Sequence, residues 1–169
     1  DKADKVKEES TAMIAYIDSI KNKIISESGG LTDSGDIKDM ANLDAPSRVM
    51  INQKKGPELE QKLRQLREEL LSAYSGIYPP AQIAEIGKAF PLKIEMPKKT
   101  INNKKNWTEV NFDMVPTVAA VTILSKFQND VKNSNAQEIE YLSTQICKHN
   151  FIFSTYEPLI SASTRYVMN

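Results

Sequence analysis

Leu59, Leu63, Leu66, Leu70, Ala73 and Ile77 follow one another at alternating spacings of four and three. That rhythm puts all six side chains on one stripe of an α-helix and is incompatible with a strand, whose faces alternate every residue. Pro57 suits the first turn of such a helix, where no amide hydrogen is needed, and Gly76 followed by Pro79-Pro80 ends it. The stripe spans fewer than three heptads, short of what argues for a coiled coil alone, so it is read as packing within a bundle of the same chain.

Two further segments carry the same period. Val6, Met13 and Ile20 recur every seven residues with Ile17 and Ile24 offset by four, which predicts a helix over residues 3–27 interrupted on its apolar face by Ser10. The polar run from Glu27 to Gly35 ends it, with Gly29-Gly30 free to adopt left-handed caps. Later, Val118, Val121, Leu124, Phe127 and Val131 form a face that resumes at Ile139, Leu142 and Ile146. Pro116 opens this segment and Asp113 is its expected cap. Residues 114–148 make either one helix of about 50 Å or two helices divided at Asn133-Ser134-Asn135.

The connections have structure of their own, because long structureless loops are uncommon in compact domains. Residues 28–56 are polar and turn-rich, with Val49, Met50 and Ile51 as one docked stretch. Within residues 78–113, Ile83, Ile86 and Phe90 have helical spacing, whereas Leu92, Ile94 and Met96 alternate between Pro91 and Pro97 and predict a short extended arm. From Phe151 onward, aromatic and β-branched residues lie among serines and threonines, which predicts a linker or first strand. The expected architecture is therefore all-α. A bundle of about three long helices with short helical and extended segments occupies residues 1–150, and a short β-like tail over 151–169 leads toward a following β-rich domain.

No catalytic, cofactor-binding or metal-binding constellation assembles. His149 is the single histidine and stands two residues after the single cysteine, Cys147. On a helix those two side chains diverge, which excludes a nucleophile–base pair and leaves a metal too few soft ligands. Cys147 reads instead as a small apolar filler and His149 as a polar residue near a helix end. Gly29, Gly30 and Gly35 do not space as a phosphate loop. Thr32-Asp33-Ser34-Gly35-Asp36 lacks the alternating acids and the twelfth-position glutamate of a calcium loop. Glu8-Glu9 and Glu68-Glu69 are neighbours on helices, so each pair points apart and neither is a hydrolytic pair. Lys54-Lys55, Lys98-Lys99 and Lys104-Lys105, the last followed by Trp107, raise the question of nucleic acid. The chain balances 22 basic against 22 acidic residues, and these clusters read as solvated turns with no nucleic-acid partner.

The segment Trp107–Asn133, WTEVNFDMVPTVAAVTILSKFQNDVKN, followed by Glu138, resembles the N-terminal domain of GldM/PorM proteins. GPELEQKLRQLREEL over Gly56–Leu70 is compatible, and the tail Arg165–Asn169 resembles the approach to that family's second domain. The resemblance implies the periplasmic portion of a single-pass inner-membrane protein, dimeric and without enzymatic activity or cofactor. It implies a motor partnership with a GldL-like membrane protein through a transmembrane segment. Through later domains it implies contact with a ring of GldK- and GldN-like proteins, in type IX secretion and gliding motility. The chain opens at Asp1 inside a charged helical pattern, as expected of a piece of a longer protein whose helix 1 continues toward a membrane.

Overall fold

The structure is a computed structural model that describes residues 2–96 and 98–156, the side chains of residue 2 and of 144–156 excepted. The described residues form six α-helices and two isolated β-bridges, with no sheet, so the fold is all-α. The helices are α1 (Lys2–Glu27), α2 (Asp44–Ser47), α3 (Lys55–Ser72), α4 (Pro80–Ala89), α5 (Trp107–Phe112) and α6 (Thr117–Tyr156). A π turn, Arg48–Asn52, continues α2. The chain divides into two compact units, Asp1–Asn135 and Ala136–Asn169. The second consists, in its described part, of the C-terminal half of α6.

Helix α1 buries Val6, Ser10, Met13, Ile17, Ile20 and Ile24, a stripe with spacings of four and three throughout. Ser10 thus lies within the apolar face as a small inward residue and does not break it. The helix stops in a Schellman turn. The Gly30 amide donates to the Ile25 carbonyl at 2.9 Å and the Gly29 amide to that of Ser26 at 3.2 Å, with Gly29 at a φ of +108°. Helix α3 lies antiparallel to α1, since Tyr16 meets Glu58 at one end of the pair and Glu9 meets Glu69 at the other. Its stripe of Leu59, Leu63, Leu66 and Leu70 is buried. The helix ends at Ser72, earlier than the heptad predicts. Residues 73–78 tighten into turns that swing Tyr74 into the core against Phe90 and Tyr78, and Ile77 is left 42% exposed.

Helix α6 runs through Asn133-Ser134-Asn135 as one element of 40 residues. Its buried stripe differs from the expected one. In the first unit Thr117, Ala120, Leu124, Phe127, Val131 and Ser134 face inward, whereas Val118 is 42% exposed. Asp113 does not cap this helix. It is the C-cap of α5, one residue beyond Phe112, and its carboxylate pairs with Lys105 at 3.6 Å. The Thr117 and Val118 amides donate instead to the carbonyls of Asn42 and Met40, at 2.9 and 3.1 Å. That loop also positions α2 and the π turn, whose Ala45, Val49 and Met50 are fully buried. Gln128 ties α6 to α1, donating to the Ile14 carbonyl and to Asp18 while accepting from Lys21.

The start of the expected 151–169 tail is helical as far as Tyr156. Residues 157–169, and with them the approach to a further domain, lie outside the described residues, as do the side chains of Cys147 and His149.

Candidate functional site

The connection between α4 and α5, residues 90–106, is held to the first unit by side chains of α3 and α6. Helix α4 delivers Phe90 to the core, and the chain then runs as an arm along α3. Leu92 is fully buried, Ile94 packs against the core edge and Met96 is 64% exposed, so the alternation expected of an extended segment is present. Two arginines one turn apart on α3 hold the arm by its main chain. Arg67 donates through Nε to the Leu92 carbonyl at 3.1 Å and through Nη2 to the Gly87 carbonyl at 2.6 Å. Arg64 donates through Nη1 to the Ile94 carbonyl at 3.2 Å while its Nε and Nη2 engage Glu60. On the same edge, the Leu92 amide donates to the buried Ser134 Oγ of α6 at 2.9 Å. The sequence made the arm legible. It gave no sign of the arginine clasp, which joins residues 20 to 30 positions apart.

Beside the arm lies an open groove of about 580 Å³. Val110 and Met96 contribute its exposed apolar surface, the buried Trp107 and Phe127 close it from beneath, and Lys93, Glu95, Lys98 and Lys126 border it. Helix α5, which sequence reasoning missed, creates this floor. Its signal was a capping box: Asn106 accepts from the Glu109 amide at 2.9 Å and its own amide donates to Glu109 Oε1 at 3.3 Å. The box starts a helix that drives Trp107 inward, with ring centroids 6.0 Å from Phe112 and 5.6 Å from Phe127. Trp107 is therefore a core residue, 3% exposed, and no stacking platform for a base.

Other residues weighed in the sequence fall elsewhere. The adjacent acids separate as expected, but Glu9 of α1 and Glu69 of α3 meet across the helix pair. The hydrogen bond to Glu69, then burial, raises the Glu9 carboxyl above its ordinary value. Nearby, Tyr16 donates a hydrogen bond to Glu58 and holds that carboxylate below its usual range. Asp36 in the glycine turn is engaged internally, its amide donating to Thr32 Oγ1 at 3.1 Å and its carboxylate accepting from Ser34 at 3.1 Å. Glu138 on α6 is fully buried with neither carboxylate oxygen hydrogen-bonded, and desolvation pushes it up to about 8. Among the described residues, no three histidines, cysteines or acids group as a metal site requires, and no helix is long and apolar enough to cross a membrane.

No curated protein matches the chain. The family model described as the GldM N-terminal domain matches residues 1–145, a span that includes α1 to α5, the arm with its arginine clasp and most of α6. The chain therefore belongs to the GldM N-terminal domain family, which ties it to gliding motility and type IX secretion.

Proposed function

We propose that this domain is a stiff, non-catalytic spacer that transmits motion through the periplasm, from a proton-driven inner-membrane motor to an outer-membrane-associated ring. The observation that carries the reading is α6, 40 residues of uninterrupted helix in a chain of this family. Within the first unit, α1 is pinned to it through Gln128 and Lys21. A helix resists bending and stretching far better than a loop of equal length, so such an element suits load transfer. On this reading the full-length protein is a homodimer anchored by a single transmembrane helix. It works with a GldL-like membrane protein at that anchor and with GldK- and GldN-like ring proteins through later domains. Residues 1–150 serve as the helical spacer and 151–169 as the passage to the next domain.

Two measurements test this. Affinity capture of the full-length protein from membranes should recover a small multi-spanning partner, and recovery of a lone monomer would contradict the motor assignment. A short Gly-Ser insertion after Glu140, an exposed position on α6, should leave that capture intact while abolishing secretion and gliding. Normal secretion with an interrupted α6 would remove the case for force transmission.

A second reading, a helical adaptor that binds a partner segment, is favoured by the groove beside the arm. It predicts that the Gly-Ser insertion is tolerated.

A further inference from the structure

The arm has two edges, and the protein uses one. In an extended chain the amide and carbonyl of one residue point to the same side, and successive residues point to opposite sides. The Leu92 amide and the Leu92 and Ile94 carbonyls are all taken by Ser134, Arg67 and Arg64. The main-chain groups of Lys93 and Glu95 therefore project from the opposite edge. Among the described residues neither has a hydrogen-bond partner for its amide or carbonyl. Their side chains line the same groove that Trp107, Val110 and Phe127 floor. A free strand edge beside an apolar trough is the geometry that accepts an added strand: main-chain bonds supply attachment, and alternate side chains reach the floor.

Charge decides what kind of strand fits. The protein as a whole is neutral, yet residues 91–105 contain Lys93, Lys98, Lys99, Lys104 and Lys105 against Glu95, and with Lys105 paired to Asp113 the local balance is four minus one, or +3. Three lysines border the groove: Lys126 is paired with Asp130 at 3.1 Å, whereas Lys93 and Lys98 have no acidic partner among the described residues. Val110, 48% exposed, and Met96, 64% exposed, add apolar surface at the rim. We infer that the free edge of residues 93–95 is a docking site for an acidic protein segment. That segment binds in extended form, pairs its main chain with Lys93 and Glu95, and sets alternate apolar side chains against Val110 and Met96. The inference stands on the arm and groove alone and holds whether or not the domain transmits force.

The test uses the intact chain and a fluorescent synthetic peptide that alternates valine with aspartate, read by anisotropy at low salt. Binding should saturate, a valine–lysine peptide should fail to bind, and added salt should weaken the complex. N-methylation of alternate residues removes the pairing amides while keeping every side chain. One of its two registers should raise Kd at least tenfold. Hydrogen exchange should slow at the Lys93 and Glu95 amides. Lys93→Glu with Lys98→Glu, both at exposed positions, should abolish binding with the helical circular dichroism unchanged. Equal binding of both N-methylated peptides would overturn the strand pairing and leave simple charge attraction. Equal, lysine-dependent binding of oligothymidylate would overturn the choice of a protein segment, and absence of any binding at low salt would overturn the site.

Discussion

Gly56, the second residue of α3, is where three elements come closest. A Cβ built there would overlap the methyl of Thr108 on α5 and lie 2.6 Å from Thr108 Oγ1 and 2.8 Å from the Met50 carbonyl oxygen in the π turn. The Thr108 side chain is 3% exposed and the carbonyl belongs to the main chain, so neither can step aside freely. Gly56→Ala then sets two effects against each other. Alanine favours the helix by at most about 1 kcal/mol. Overpacking at a closed site costs roughly 1–3 kcal/mol, and more when main chain must move. The second effect wins, and the variant should be destabilised by about 1–2 kcal/mol, which is on the order of 2–8 °C in Tm for a chain of this size. Urea denaturation followed by circular dichroism measures it. Thr108→Ala in the same chain should restore part of the loss, because it clears the side-chain overlap but leaves the Met50 carbonyl. The double-mutant cycle should therefore be non-additive. If Gly56→Ala stabilises the protein, as it would in an open helix, the close approach of α3, α5 and the π turn is wrong.

Leu66→Ala, at a residue 4% exposed on the α3 stripe, should cost about 2–5 kcal/mol by urea denaturation, and a shift near zero would take α3 out of the core. Arg67→Met keeps the apolar stem but leaves the Leu92 and Gly87 carbonyls without their donor, a loss of about 1–3 kcal/mol. The same variant should speed tryptic cleavage after Lys93, and an unchanged rate would mean that burial of Leu92 alone holds the arm. Glu138 has its carboxyl raised from an ordinary 4.5 to about 8, so its proton is held more tightly in the folded state. Its contribution is thus fully present below about pH 4.5 and is lost as the pH rises toward 8. Glu138→Gln should remove that decline and exceed the parent in stability at pH 8, and parallel pH profiles for the two proteins would refute the assignment.

Much of the framework could be read from spacing, because α1 and α3 bury the residues that their own periodicity selects. The errors share a physical cause. Thr117, Ser134 and Ser10 are polar yet inward, so a rule that seeks apolar residues shifted the α6 stripe toward Val118 and took Ser10 for an interruption of the α1 face. Capping misled in the same way. Asp113 is a good local cap, but the amides of α6 are met by carbonyls from a loop some 75 residues earlier, and no local pattern encodes that. At the groove, the alternation of Leu92, Ile94 and Met96 between prolines exposed the arm in advance. The Asn106–Glu109 box was equally legible and went unread, whereas the pairing of α3 arginines with the arm depends wholly on the tertiary fold.

The clasp grips the arm by carbonyls and not by side chains. Arg64 and Arg67 hold Leu92 and Ile94 whatever residues stand at 93 and 95, because every residue offers the same main chain. Anchoring and display are thereby separated within five residues. Substitutions at the outward positions can rewrite the chemistry this edge presents while the means of holding it stays fixed. An element built this way can change partners over evolutionary time without first having to relearn how to fold.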